Sequence, residues 1–210
     1  IPREYPLDFD QMPDLKWVDL RKVTGPRVRI PITATPRGHQ AEALEIMRQC
    51  GSGTVNMACG KGKTVLALLY TASIERPMLA VVDKSALIGG WLADIRDWIG
   101  PDFPVGIIKG NQFDWHGKGI VLASVRTLRK YKYLCDAAFR SYFGVVFYDE
   151  GHHYAAEMFN ETGDMFIAQR FSLTATASRL DNLQFIYQAH LGPVIYQNLE
   201  QDLIPHTTFH

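Results

Sequence analysis

The sequence predicts an α/β fold, a three-layer sandwich in which a mostly parallel sheet carries helices on both faces. Three observations lead there. Short apolar runs recur from residue 36 onward, separated by stretches whose apolar residues fall at helical spacing. Runs such as MLAVVD (78–83) and GVVFYDE (144–150) are apolar at almost every position, as strands buried on both faces of a parallel sheet must be. The residues with chemical potential stand directly after such runs, at the strand ends where ligands bind in sheets of this kind.

Taken in order, residues 1–35 are interrupted by Pro2, Pro6, Pro13, Pro26 and Pro31, which argues against long helices there. They read as an extended lead-in, or as the tail of a preceding domain, with VRIPI (28–32) a short extended segment. GHQAEALEIMRQC (38–50) predicts a helix closed by the turn signal GSG, and TVNMA (54–58) a buried strand. A helix is expected over 63–74, a strand over 78–83, and a second helix over SALIGGWLADIRDWI (85–99), weakened by Gly89 and Gly90. Trp91 and Trp98 are seven residues apart on that helix, which points to core packing on one face rather than base stacking. VGIIK (105–109) and GIVLAS (119–124) read as strands, followed by a helix across 125–142. GVVFYDE and RFSLTAT (170–176) are the next strands, and IYQAHLGPVIY supplies a helix end and a last short strand. One domain therefore runs from 36 to 200.

The 210 residues are 47% hydrophobic and 21% charged, enough for one sizeable core. A formal net charge of +0 excludes a protein that coats nucleic acid by bulk charge, so any such contact must come from a local patch. Three irregularly spaced cysteines (Cys50, Cys59, Cys135) suit a reducing compartment and a cytoplasmic location better than a disulfide framework. No stretch reaches the ~18 consecutive apolar residues of a membrane span, so no membrane partner is expected. The chain opens at Ile1 rather than Met, which reads as one region of a longer protein.

Three strand ends carry chemistry. The first is NMACGKGKT (56–64). Gly60 and Gly62 allow positive φ, so the backbone N–H groups of the loop can turn inward onto phosphate at the start of a helix. Lys63 would reach the outer phosphates, and the Thr64 hydroxyl would ligate Mg²⁺. Lys61 lies in the same cradle. The full phosphate-loop pattern asks for glycine at position 57, where this chain has Met57. A glycine-rich turn with a chance Lys-Thr is the competing reading.

The second is DEGHH (149–153), closing a strongly apolar strand. A triphosphate site needs a carboxylate for the metal shell and a base for the attacking water; Asp149 and Glu150 supply them in that order. Asp149 would act on the metal through water, and His152 stands where it could sense the γ-phosphate. A zinc site at His152 and His153 is rejected, because no cysteine or second histidine pair lies nearby in sequence. The third is SLTAT (172–176), whose Ser172, Thr174 and Thr176 hydroxyls can bond to those carboxylates or to His152 from a neighbouring strand. An ordinary Thr-rich strand is its competing reading.

Together GKGKT, DEGH and SLTAT resemble motifs I, II and III of the superfamily 2 helicases and translocases, across about residues 36–200. The resemblance implies a RecA-like ATP-binding domain with ATP and Mg²⁺ as ligands. PRGHQ (36–40) is similar to the adenine-recognition motif, which implies Arg37 and Gln40 near the base. VVDKSALIGGW (81–91) and ASVRTL (123–128) resemble elements that grip the nucleic-acid backbone, which implies contacts from Lys84, Ser85, Arg126 and Thr127. A helix N-cap is the alternative role of Ser85. LTATASRLDN is closest to the branch of DNA-repair, phage branch-migration and restriction motors, so DNA is expected over RNA. That superfamily commonly reads Ala-x-x-Gly-x-Gly-Lys-Thr, so Met57 departs little from it. Gly90 stands where family members often carry Gln before the Trp, and Ala177 replaces the usual Pro, which leaves one backbone contact and the end of motif III in question.

The family completes its ATP site with a second RecA-like domain that brings arginine fingers. Residues 201–210 are then the start of a linker to it, and the chain alone should hydrolyse ATP weakly. The expectation is the ATP-binding motor domain of a DNA helicase or translocase. The alternatives are a restriction or remodelling motor that moves without separating strands, and a non-catalytic nucleotide-binding scaffold.

Overall fold

The computed structural model describes residues 24–150, 162, 165–175 and 190–199. Their strands are β1 (Ser52–Met57), β2 (Met78–Val82), β3 (Val105–Lys109), β4 (Gln112–Phe113), β5 (Ile120–Ser124), β6 (Val145–Asp149), β7 (Gln169–Thr174) and β8 (Val194–Asn198). They form one sheet in the order β4-β3-β5-β2-β6-β7-β1-β8. Every pairing is parallel except that of β3 with β4.

Five α-helices that lie in full among the described residues cover it: α1 (Gly38–Cys50), α2 (Lys63–Ile74), α3 (Leu87–Trp98), α4 (Val125–Lys130) and α5 (Ala137–Tyr142). The period-2 alternation of strand side chains divides the core into two layers. Met78, Ala80, Val82, Val145 and Phe147 pack with Leu44, Leu66 and Trp91 of α1, α2 and α3. Leu79, Val81, Val146 and Tyr148 pack with Leu128 and Phe139 of α4 and α5. This is the predicted three-layer sandwich. The alternation also decides which way the site faces: Asp149 follows Val145 and Phe147 onto the α1–α3 side.

Three local readings need correcting or completing. The helix expected across 125–142 is two helices around a short 3-10 turn at Lys132–Leu134. The Asp136 carboxylate accepts from the Phe139 N–H at 2.9 Å and so opens a new helix in place of a continuation. β4 has no counterpart in the sequence pattern; it folds back antiparallel on β3 after Gly110, whose φ is 62°. VRIPI, read as a short extended segment, lies outside every described helix and strand, and its Val28 N–H donates to the Glu75 carbonyl at 3.0 Å. Trp91 is buried as the shared-face reading requires, whereas Trp98 is 39% exposed, because α3 ends there and its last turn passes the rim of the core.

Residues 24–33 run along the amino-terminal edge of the sheet. The Thr24 hydroxyl donates to the Phe143 carbonyl, and Thr33 donates to the Trp98 carbonyl through its N–H and its hydroxyl. Between these ties Ile30 is buried in the α1–α3 layer. The opposite, carboxyl-terminal edge holds the predicted chemistry.

Candidate nucleotide-binding site

The loop from β1 to α2 has the backbone that phosphate binding needs. Gly60 and Gly62 have φ of 79° and 76°. The left-handed angle at Gly62 favours glycine, and a Cβ there would stand 2.6 Å from the Gln40 side-chain nitrogen and displace it from its bonds to the loop. α2 then begins at Lys63, with Leu66 N–H bonded to the Gly62 carbonyl at 2.9 Å, and its amino end points at the loop. Thr64 follows in the first turn, half-buried.

Met57 needs no glycine. It is the last residue of β1, fully buried among the α1–α3 core residues, and its carbonyl accepts from Lys63 Nζ at 3.2 Å. The consensus glycine position is here a core position one turn below the cradle.

Lys63 Nζ also lies 3.2 Å from Glu150 Oε1, in a pair whose side chains are only 12% and 23% exposed. Glu150 has φ of 48°, a left-handed conformation that costs a non-glycine residue of order 1 kcal/mol or more. Its N–H donates to the Leu173 carbonyl at 2.7 Å, which holds the turn and swings the carboxylate back over the loop. Glu150 Oε2 accepts from the Thr174 hydroxyl and from Ala175 N–H, both at 3.4 Å. Strand β7 therefore supports the acid from one side while Lys63 faces it from the other.

Asp149 ends β6, and its Oδ2 accepts from the Trp91 indole N–H at 2.9 Å. Burial pushes its carboxyl above the ordinary carboxylate range; the Trp91 hydrogen bond and the Lys63 charge pull it back, and the Glu150 charge adds to the rise. The sequence assigns Trp91 only to core packing, yet its indole also holds the carboxylate on which the site depends. A tryptophan on the helix after β2, on the side Asp149 faces, was the available signal.

α1 is tied to the loop. Gln40 Oε1 accepts from Arg37 N–H at 2.9 Å, and Nε2 donates to the carbonyls of Gly62 at 3.1 Å and Lys61 at 3.4 Å. His39 Nε2 lies 3.1 Å from the same Lys61 carbonyl, a role that no sequence motif assigns to it. Lys61 is buried, whereas the Arg37 side chain is exposed beside the loop. Asn56 ends near the same place; with its amide nitrogen turned toward them it donates to the Thr174 and Ala175 carbonyls at 3.2 Å.

The remaining expected residues divide. Ser172 is buried below the site, its hydroxyl donating to the Tyr148 carbonyl at 3.5 Å. Lys84 and Arg126 are exposed beyond β2 and β5 on the same edge, with Ser85 half-buried in the turn before α3. The N-cap of α3 is Ala86, so Ser85 does not fill that role. Thr127 is buried, and its hydroxyl accepts from Gly110 N–H at 3.1 Å. His152 and Thr176 lie outside the described residues.

The donor set fits magnesium better than a metal caged by protein alone. Among the described residues no group of three or more His, Cys, Asp or Glu could hold a metal ion. The half-buried Asp149 carboxylate and the Thr64 hydroxyl beside a phosphate cradle are oxygen ligands of the kind Mg²⁺ takes together with substrate phosphates. No helix among the described residues is long and apolar enough to cross a membrane.

Comparisons with known proteins bear on the family and the fold. The family model described as "Type III restriction enzyme, res subunit" (ResIII) matches residues 17–179. A protein of Acanthamoeba polyphaga mimivirus with the provisional name ATP-dependent RNA helicase L396 is 28% identical over 202 residues, 93% of this chain and 38% of that protein. The DNA 3'-5' helicase XPB of Kineococcus radiotolerans is 27% identical over 172 residues, 80% of this chain and 30% of that one. Among solved structures the UvsW helicase of bacteriophage T4 superposes with a TM-score of 0.67 at 16% identity, over 89% of this chain and 74% of that one. The chain spans between 24% and 38% of the length of the curated relatives it matches.

Proposed function

The chain belongs to the ResIII family, as an N-terminal RecA-like domain of the superfamily 2 helicases, and from that premise we propose that it binds ATP with Mg²⁺ and drives movement on DNA. The observation that carries the proposal is the meeting of Lys63, Glu150 and Thr174 over one glycine loop, with Trp91 holding Asp149 beside them. Lys63 bridges from the loop to the phosphates, in the place its ammonium now shares with Met57 O and Glu150. Glu150 takes the proton of the attacking water; its left-handed turn and its two β7 donors keep the carboxylate aimed. Mg²⁺, when bound, neutralises charge on the phosphates, and Asp149 with Thr64 would hold it. Lys84, Ser85 and Arg126 grip the phosphate backbone from the same edge.

This chain supplies one side of the ATP site. A second RecA-like domain in the same protein brings the other side and its arginine fingers, which are worth ~10³–10⁵ in rate, so the chain alone turns ATP over slowly. DNA is preferred over RNA on the LTATASRLDN segment, although one matched relative carries an RNA helicase name.

Titration of the 210-residue chain with a fluorescent ATP analogue and Mg²⁺ tests the reading. Lys63→Ala should weaken binding by about tenfold to a hundredfold, the worth of a charge-assisted phosphate bond, and leave the circular dichroism unchanged. Glu150→Gln should keep binding close to that of the unsubstituted chain. Equal affinity in the chain and the Lys63→Ala variant would sink the assignment.

A further inference from the structure

The zero net charge conceals an uneven distribution. Between residues 105 and 134 the sequence has six lysines and arginines and a single aspartate, Asp114, which pairs with Lys118. Four of those cations, Lys109, Arg126, Lys130 and Lys132, are exposed. They stand on β3, on α4 and on the 3-10 turn beyond α4, and the Gly110 N–H to Thr127 hydrogen bond joins the first element to the second. One further acid is close, Asp136, and it caps α5 through Phe139 N–H.

An aromatic pair sits among these cations. Tyr133 is 72% exposed, more than any other large hydrophobic residue described. Its ring centroid lies 6.0 Å from that of Tyr131, at 65°. Tyr131 is fixed from both sides: its hydroxyl donates to Asn111 Oδ1 at 3.1 Å, and Lys130 Nζ stands 4.8 Å from its ring centre. The turn beneath is closed by Leu134 N–H to the Tyr131 carbonyl and Cys135 N–H to the Lys132 carbonyl, with Cys135 itself buried. Tyr133 therefore projects from a braced turn. Tyr133 meets Tyr131 only edge-on and leaves most of its ring surface to water beside exposed lysines.

We infer that Tyr133, with Lys130, Lys132 and Lys109, forms a stacking platform for one unpaired base of a single-stranded nucleic acid whose phosphates run over the neighbouring lysines. The inference rests on the nucleic-acid reading above and extends it past Arg126, over the far end of α4. The choice of a single strand comes from the ring: every base offers a π face once unpaired, whereas a duplex hides those faces and offers only phosphate to this surface. The platform reads no sequence, since it presents a face and charges rather than a hydrogen-bond pattern.

The test is fluorescence anisotropy of the 210-residue chain with a labelled oligothymidine and, separately, a labelled duplex of the same length. Tyr133→Ala should weaken single-strand binding about tenfold, the usual worth of one base stacked on an aromatic ring, and leave duplex binding unchanged. Tyr133→Phe should keep both. Lys130→Gln with Lys132→Gln should flatten the slope of log K against log salt on the single strand by about 1.4, roughly 0.7 for each phosphate that no longer meets a cation. The exposure of all three side chains means that the melting temperature should not move. Equal weakening on single strand and duplex, or full single-strand affinity in Tyr133→Ala, overturns the platform and leaves the motor reading standing. Failure of the unsubstituted chain to bind either nucleic acid overturns both, while ATP binding would still report on the nucleotide site alone.

Discussion

The two edges of the sheet are built from opposite materials. At the amino-terminal edge residues 24–33 lie across the ends of α2, α3 and α5, tied by backbone hydrogen bonds and by Ile30 in the core. At the carboxyl-terminal edge the chain turns through two positive-φ glycines and a positive-φ glutamate, and gathers a lysine and two carboxylates. One edge satisfies its groups and buries apolar area. The other sets a half-buried lysine–glutamate pair and a second carboxylate beside the ends of the strands. Backbone strain is common to both, since Glu75 at the amino-terminal edge (φ 50°) is left-handed like Glu150, and it persists only because the rest of the fold is well determined. Stability and chemistry are thus assigned to separate ends, and they should respond to separate mutations. Ile30→Ala should cost about 2–4 kcal/mol of stability, as the truncation of a buried isoleucine does, with ATP affinity unchanged. Thermal melting together with the nucleotide titration checks both halves; a loss of affinity in step with stability would show the two ends to be coupled.

A smaller effect probes the one place where core and site share a side chain. Trp91 fills the α1–α3 layer and donates to Asp149. Trp91→Phe keeps most of the ring in the core but removes the N–H, so Asp149 loses the strongest influence opposing its burial. A charge-assisted hydrogen bond is worth about 1.5–3 kcal/mol, of which a positioning contact passes on only part to the ligand. The half-saturating Mg²⁺ concentration for nucleotide binding should therefore rise several-fold, with Mg²⁺-free binding nearly unchanged. Trp91→Leu separates this from packing, since it should lower the melting temperature as well. An unaltered Mg²⁺ requirement in Trp91→Phe would reduce the contact to core filling.

How much of this could be read from residues alone follows the same division. α1, α2 and β3 begin and end where expected, because Gly51, Gly62 and Gly110 mark their ends and their apolar periods are unbroken. The placement of the three motifs at one edge of the sheet was legible because each follows an apolar strand. What was not legible depends on contacts between segments far apart in sequence. No local pattern reveals that Gln40 clamps the loop or that residues 24–33 pack on the sheet, and the signal for the Trp91–Asp149 contact needs the strand order as well as the helix. Thr127 reads as a surface hydroxyl until β3 and β4 close over it and Gly110 takes it as an acceptor. The break at Asp136 was legible in principle, since an aspartate three residues before Phe139 is an N-cap signal, but the basic and aromatic run before it reads as helix. Met57 shows the converse: the residue that departs from the consensus belongs to the buried core of β1, and only its carbonyl faces Lys63.

The gentlest way to sharpen the comparison is pH. Asp149 is raised above the ordinary carboxylate range chiefly by burial, so the folded protein holds that proton to a higher pH than the unfolded chain does. The sign for stability follows: the contribution of Asp149 falls as pH rises through the carboxylate range and levels off above its folded value. Asp149→Asn, which keeps an oxygen for Trp91 but carries no charge, should be as stable as the unsubstituted chain at acid pH and more stable at neutral pH. For ligand binding the sign is reversed, because only the charged form attracts a cation. Mg²⁺-dependent nucleotide binding should weaken on acidification at a higher pH than an exposed aspartate would give, and Trp91→Phe should move that midpoint higher still. The amino-terminal edge has no such group among its described ties, so Ile30→Ala should shift the melting curve at every pH without moving the midpoint. A midpoint that stayed in the ordinary aspartate range in all three proteins would mean that Asp149 is solvated when the site is at work, and that the separation between the two edges is less complete than the buried carboxylate implies.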